Sequence, residues 1–132
     1  MRKAAVNALF LLFIIVGILC GCATPGSLRE AGPACVFTVP NSTPRESGRC
    51  LVDKIDERCG AFNPILRDKT DGNATILLRL GGDLVAMFDI NKEGDGVNIL
   101  LYFEYGNTCD SLAYKVCYAP ALGSCGAKEK VK

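Results

Sequence analysis

The sequence predicts a small α+β domain: an antiparallel β-meander of four to five strands with one short helix, stabilised by disulfides. Four runs rich in β-branched and aromatic residues follow one another after residue 73, joined by short Gly-rich turns. Arg49–Cys59 carries apolar residues at helical spacing. Six cysteines lie between residues 35 and 125, and a chain of 132 residues has the length of one domain.

The first 21 residues have the pattern of an export signal. Met1–Lys3 is positively charged, and Ala4–Leu19 is apolar except for Asn7 and Gly17. A basic start followed by an apolar run and small residues is typical of a secretory signal peptide. The alternative is a retained transmembrane helix, which needs about 20 apolar residues. No cluster of Lys and Arg follows the run, so we expect a signal that is removed.

The end of this run resembles a processing motif. Leu19-Cys20-Gly21-Cys22 is similar to the lipobox of bacterial lipoproteins, in which leucine lies three positions before the modified cysteine and glycine directly before it. Modification of Cys20 instead would place Leu19 where the class has Gly or Ala. The resemblance therefore implies that Cys22 is the lipidated residue.

The same resemblance predicts where in the cell the protein is located. In this class the cysteine thiol takes a diacylglycerol, the signal is cut before the cysteine, and the new amine is usually acylated. Two or more acyl chains hold a protein stably on a membrane. Ala23, rather than Asp, follows Cys22, which by resemblance favours the outer membrane, with the domain facing the periplasm.

The remaining chain divides into three parts. Residues 22–34 are rich in Pro, Gly and small residues and are predicted to be a flexible, lipid-anchored tether. Residues 35–125 form the disulfide-rich domain, and residues 126–132 form a short charged tail. Within the domain, Cys35–Val39 is a short β-prone run that ends at Pro40.

The predicted helix ends at Gly60, which we place in the C′ position. Cys50 and Cys59 lie near its two ends, about two and a half turns apart, and therefore point to opposite sides. We expect each of them to pair with a cysteine elsewhere.

The four predicted strands alternate between two faces. One face is apolar and includes Ile76, Leu84, Phe88 and Ile99. The opposite face mixes apolar residues with charged ones and is predicted to be partly covered by the Arg49–Cys59 helix, by an N-terminal strand or by a partner. The four strands are Ala74–Leu80, Leu84–Ile90, Val97–Tyr105 and Leu112–Tyr118.

The cysteines predict disulfides rather than a metal site. Cys20 leaves with the signal and Cys22 carries the lipid, so an even set remains. In an exported domain of this size, six cysteines indicate three disulfides, whose pairing the sequence does not fix. A zinc site is disfavoured because there is no histidine and no C-x-x-C spacing. The set is Cys35, Cys50, Cys59, Cys109, Cys117 and Cys125.

One segment superficially resembles a calcium loop. Asp89, Asn91 and Glu93 lie at alternate positions and are followed by Gly94, which matches the first half of such a loop. The position that should carry a bidentate Glu is Leu100, and both flanks are strand-like. A polar hairpin turn is the better interpretation, and we predict no metal and no cofactor.

Catalytic machinery is not indicated. The absence of histidine removes the Ser-His-Asp and Cys-His arrangements. A pair of carboxylates remains conceivable, but no pair stands out among the 14 acids. Basic and acidic side chains nearly balance and form no block of like charge, which gives no reason to propose nucleic acid or an anionic surface as a partner.

The role of four tyrosines can be interpreted in two ways. Tyr102, Tyr105, Tyr114 and Tyr118 lie on the last two predicted strands, where core packing and cross-strand pairing are the favoured role. The alternative is a protein-contact patch, because tyrosine is enriched at such sites.

These observations lead to an expectation about function. The chain is expected to be a non-enzymatic, lipid-anchored protein of the bacterial envelope that binds another envelope or secreted protein. As an accessory or assembly factor it would act within an envelope complex. The alternative is an inhibitor or immunity protein against a hydrolase such as lysozyme, and a third hypothesis is a hydrolase that uses a carboxylate pair.

Overall fold

The computed structural model describes residues 23–104 and 108–130, together with Asn7. Within these residues the chain contains helices, a mixed-length antiparallel sheet and three disulfides, so the predicted α+β, disulfide-stabilised class is confirmed. In chain order the elements are α1 (Pro25–Ala31), β1 (Cys35–Val39), α2 (Pro44–Cys59), a 3-10 turn (Gly60–Phe62), β2 (Ile65–Asp68), β3 (Ala74–Leu80), β4 (Asp83–Glu93), β5 (Gly96–Phe103), a π-helical turn (Tyr114–Tyr118), α3 (Ala119–Ser124) and β6 (Lys128–Glu129).

The described strands form one sheet in the order β2-β3-β4-β5-β1-β6, which is slightly larger than the four or five strands predicted. β3, β4 and β5 are the predicted meander. β1 pairs with β5 on one side and with β6 on the other, while β2 pairs with β3 at the opposite edge. All pairs are antiparallel.

The first face of the sheet carries the main core. Side chains of α2 and α3 pack against it, including the fully buried Leu51, Ile55 and Leu122. The predicted apolar face is largely this one, with Ile76, Phe88 and Ile99 among its members. Leu84 departs from the prediction. The register shifts between Leu78 and Arg79, so Leu84 points to the opposite side of the sheet, which we call the second face.

α2 begins earlier than the sequence predicted. Thr43 and Glu46 form a capping box, and Pro44 occupies the first turn, where its missing N–H costs no hydrogen bond. The helix ends at Cys59 as expected. Gly60, however, keeps a right-handed conformation with φ −59°, and the left-handed residue is Asn63, at the end of the 3-10 turn.

The segment Leu112–Tyr118 was predicted to be a strand, and this prediction is wrong. Tyr114–Tyr118 forms a π-helical turn that continues into α3. A short apolar run does not distinguish strand from helix by its spacing alone. Pro120 falls in the first turn of α3, where proline is tolerated, so it does not end the helical segment.

Residues 25–31 were predicted to belong to a flexible tether but form α1 instead. Thr24 caps the helix, and the Ser27 side chain accepts in return from the Thr24 backbone N–H. Pro25 begins the first turn, and Leu28 is 4 % exposed. Capping and burial thus order a stretch whose composition is typical of a linker.

The cysteine prediction is confirmed among the described residues. Cys50 and Cys59 pair with distant cysteines and not with each other, as their positions on α2 indicated. The disulfides close loops of 58 to 75 residues, which in a chain-entropy model stabilises a fold by about 4 kcal/mol each. The three pairs are Cys35–Cys109, Cys50–Cys125 and Cys59–Cys117.

Candidate functional site

Two features of the structure stand out, one on the second face and one at an end of the sheet. The first is the contact between α1 and the second face. Leu28 packs into a cluster of buried residues from β3, β4 and β5, and Ala23 packs against the same cluster. This contact covers part of the half-apolar face, as predicted, but the cover is α1, which was not predicted; the predicted helix, α2, packs on the first face instead. Its members are Leu28, Leu77, Leu84, Met87 and Tyr102.

A two-point ion pair joins α1 to the sheet. Arg29 Nε donates to Asp89 Oδ2 at 2.7 Å, and Arg29 Nη2 donates to Asp89 Oδ1 at 2.8 Å. The hydroxyl of Thr75 also donates to Asp89 Oδ1, at 2.8 Å, and Lys69 Nζ lies 3.7 Å from that oxygen. Both carboxylate oxygens therefore have partners, and Asp89 is only 4 % exposed.

The surroundings of Asp89 set its protonation. Burial alone would raise the pKa of its carboxyl group. The hydrogen bonds from Arg29 and Thr75, together with the charges of Arg29 and Lys69, outweigh burial and hold the pKa below its ordinary value. Asp89 is therefore ionised at neutral pH and acts as the anionic half of the α1 contact.

The contacts of Asp89 also bear on the segment that resembles a calcium loop. Asp89 begins the segment that resembles a calcium loop, but its oxygens are occupied by Arg29, Thr75 and Lys69. The segment itself is the β4–β5 hairpin, with Glu93 opposite Gly96. Among the described residues no group of acidic or cysteine side chains could hold a metal ion.

The second feature is an apolar cleft at the end of the sheet where β5 finishes. Its volume is 290 Å³, at the lower limit for a small-molecule site. The rings of Phe62 and Phe103 lie 5.6 and 5.8 Å from that of Tyr118, which forms the floor. Burial raises the pKa of Tyr118 to about 12, so the floor is uncharged. The lining residues are Phe62, Val85, Phe103, Ser111, Leu112, Ala113 and Tyr118.

An exposed apolar ridge, formed by Leu112 and Val116, lies beside this cleft. Leu112 is 78 % exposed and Val116 is 52 % exposed, and they are four residues apart on one helical segment. Cys109 and Cys117 tie this part of the chain to β1 and α2 through disulfides. The ridge is therefore an apolar surface on a cross-linked support.

The three tyrosines that the structure describes are buried, so they do not offer an exposed contact patch. Tyr102, Tyr114 and Tyr118 are 5 %, 9 % and 1 % exposed, and Tyr105 lies outside the described residues. Tyr118 is buried because the helical turn points its ring at Phe88, Phe103 and Phe62. Packing, the favoured interpretation, is what the structure shows for the three described tyrosines.

Sequence reasoning missed both features. Leu112 and Val116 were assigned to a strand, which concealed their common exposure. Arg29 was assigned to the tether, so it had no fixed neighbour. The only available signal for α1 was the Thr24-Pro25-x-Ser27 pattern, a cap followed by proline.

Comparisons with known proteins give no relative. Neither protein-family models, nor curated proteins, nor solved structures matched this chain. The lipobox-like segment Leu19-Cys20-Gly21-Cys22 lies outside the described residues. No helix in the part that the structure describes is long and apolar enough to cross a membrane.

Proposed function

We propose that this chain is a non-enzymatic lipoprotein of the bacterial outer membrane, anchored through Cys22, that binds another envelope protein as an accessory or assembly factor. The ridge of Leu112 and Val116, with the adjoining cleft, is the proposed contact surface. No catalytic residue, metal or cofactor belongs to the proposal.

The exposure of the ridge is the observation that carries the proposal. Large apolar side chains at a protein contact lose water on binding, and those next to a pocket tend to dominate its affinity. A cleft of 290 Å³ walled by Phe62 and Phe103 suits one apolar side chain of a partner better than a whole cofactor. Disulfides on either side of the ridge reduce the entropy that binding would cost.

The start of α1 supports the anchored part of the proposal. Ala23 alone separates Cys22 from the cap residue Thr24, and Ala23 itself packs on the second face. A lipid at Cys22 would thus hold the folded domain directly at the membrane surface. An assembly factor that acts on membrane-bound partners gains effective concentration from such an arrangement.

The test is an affinity capture from detergent-solubilised envelopes. Wild type, Cys22→Ala, Leu112→Asp and the matched control Leu80→Asp are compared, because Leu80 is also an exposed apolar residue, at 49 %, but belongs to β3. We expect a stoichiometric envelope protein with wild type and with Leu80→Asp. Leu112→Asp should weaken its binding by about tenfold or more, as for an apolar residue at the centre of a contact.

The Cys22→Ala arm separates the two binding roles. Loss of the partner from a folded Cys22→Ala chain supports the anchored assembly role. Equal capture of a secreted or foreign hydrolase by both forms would contradict that role and favour the inhibitor hypothesis. Equal capture by Leu112→Asp and wild type would remove the ridge from the proposal.

A further inference from the structure

α1 is held on the sheet by few side chains. Leu28 is its buried residue, and Arg29 donates the hydrogen bonds that join it to Asp89 and Thr75. All three disulfides lie between residues 35 and 125, so none of them ties α1 to the domain. A helix of seven residues has little stability of its own in water. These properties are typical of a segment that opens locally while the rest of a domain stays folded.

The connection between α1 and β1 permits such an opening. Gly32 has a φ of 86°, a conformation that favours glycine, and its N–H donates back to the Arg29 carbonyl in α1. Pro33 has no N–H to donate. Ala34 is tied to the sheet, because its N–H donates to the Leu101 carbonyl at 2.7 Å. The two residues between α1 and Ala34 can therefore change conformation without breaking the pairing of β1.

The surface under α1 is built by the sheet itself. Leu77 of β3 lies opposite Met87 of β4, which lies opposite Tyr102 of β5, so the three side chains form one apolar row across paired strands. Leu28 of α1 packs on this row. Ile65 of β2 lies opposite Leu77 and extends the row, yet it is 37 % exposed. The row is therefore longer than the part that α1 covers.

An acidic group lies beside this row. Asp89 accepts a hydrogen bond from Thr75 at 2.8 Å and lies 3.7 Å from Lys69 Nζ, and neither partner belongs to α1. Both contacts remain when Arg29 moves away, and water then reaches the carboxylate, so Asp89 stays ionised at neutral pH. The surface thus fits a segment that has an apolar side chain next to Arg or Lys, as Leu28 is next to Arg29 in α1.

We propose that α1 is a releasable strap over a binding groove and that a short amphipathic segment of a partner protein takes its place there. The segment inserts an apolar side chain into the row and pairs a neighbouring arginine or lysine with Asp89. Until the partner arrives, α1 keeps the row out of water, where an open apolar surface would favour aggregation. The inference depends neither on the ridge nor on a lipid at Cys22. The groove consists of Ile65, Leu77, Met87, Tyr102 and Asp89.

Oxidation of Met87 tests the release of α1. Its side chain is fully buried in the groove, so hydrogen peroxide reaches the sulfur only when the groove opens, and peptide mapping by mass spectrometry detects the sulfoxide. The disulfide-intact chain is compared with Leu28→Ala/Arg29→Ala and with Ile55→Val, which loosens the first-face core instead.

The double variant should be oxidised at Met87 about tenfold faster than wild type, because it lacks the buried side chain and the ion pair that hold α1. Ile55→Val should change the rate little. Equal rates in the double variant and in wild type would contradict release, and so would an equal acceleration by Ile55→Val, which would show that Met87 is exposed only by unfolding of the whole domain.

A peptide added in trans tests the groove. The probe has the sequence of residues 23–32 with blocked ends, and the matched control peptide carries Arg29→Glu. Added in excess to the Leu28→Ala/Arg29→Ala chain, the first peptide should slow oxidation of Met87 several-fold and the control peptide should slow it less. Both effects should be smaller in the wild-type chain, where α1 competes for the groove.

Failure of this inference is distinguishable from failure of the proposed function. If the α1 peptide leaves the oxidation of Met87 unchanged in the double variant, the groove accepts no segment in trans and the inference is wrong. Equal protection by the Arg29→Glu peptide would remove Asp89 from the recognition proposed here. Neither result bears on the ridge, which is tested by Leu112→Asp.

Discussion

Arg29 of α1 and Asp89 of β4, 60 residues apart in the chain, form a two-point ion pair that fastens the N-terminal helix to the sheet. The guanidinium is partly exposed and the carboxylate is buried. Removing the exposed partner therefore leaves a buried charge with fewer donors, whereas removing both partners does not. This asymmetry makes the pair testable by mutation.

Arg29→Ala should lower the free energy of unfolding by about 2 kcal/mol, because hydrogen bonds to a buried carboxylate are lost while Thr75 and Lys69 remain. Urea denaturation of the disulfide-intact chain measures the change. Arg29→Ala combined with Asp89→Asn should cost less than the sum of the two single changes. Strict additivity would show that the two groups do not interact in solution.

Acid should weaken the fold through Asp89. Its pKa is lower in the folded chain than in the unfolded chain, where the carboxyl group has its ordinary pKa. The stabilisation is therefore complete at pH values above that ordinary pKa and is lost as the pH falls through the lower, folded pKa. Unfolding free energies measured between neutral pH and pH values below the unfolded pKa should fall less steeply for Asp89→Asn than for wild type. Identical slopes would exclude this carboxylate as a source of acid sensitivity.

Two glycines should differ sharply in their tolerance of alanine. A Cβ at Gly96 would collide with the backbone carbonyl oxygen of Val39, which is held in the β1–β5 pairing. A Cβ at Gly48 would meet Leu66 Cδ1 at 2.7 Å, the end of a side chain that can rotate. We expect Gly96→Ala to cost about 2 to 3 kcal/mol and Gly48→Ala less, as for overpacking that can relax. Thermal unfolding of both variants provides the comparison, and a more damaging Gly48→Ala would contradict the packing described.

The Cys50–Cys125 disulfide should be the one that holds the C-terminal end of the chain to α2. Replacing both cysteines by alanine opens a loop of 75 residues, which should lower stability by up to about 4 kcal/mol. Peptide mapping without reduction should recover the other two pairs unchanged in this variant. Recovery of a different pairing in the wild-type chain would overturn the disulfide assignment itself.

The parts of the fold that could be predicted are those that depend on local sequence patterns. β3, β4 and β5 follow from alternating apolar residues and glycine turns, and the three disulfides follow from an even cysteine set. Leu112–Tyr118 could not be assigned, because its helical form depends on burial of Tyr118 among distant rings and on the Cys59–Cys117 bond. α1 was missed because seven residues with proline and glycine have little helical tendency until Leu28 and Arg29 find partners on the sheet.

The candidate site was harder to predict from the sequence than the fold was. The exposure of Leu112 and Val116 beside the cleft arises from the position of their helical segment, which disulfides join to parts of the chain far away in sequence. The sequence contains no histidine, so histidine-based chemistry was excluded from the start. It could not indicate which surface remains open after folding.

The place of β1 between β5 and β6 has a consequence for how the domain folds. The first strand pairs with strands formed by residues 96–103 and 128–129, so the sheet cannot be completed until residue 129 has been synthesised. Contacts between segments so far apart form slowly, because long loops must close before they are stabilised. Until then the edge of β1 that pairs with β6 is open, and it can pair with another chain. We therefore expect C-terminal truncation before residue 125 to yield aggregation rather than a smaller folded domain.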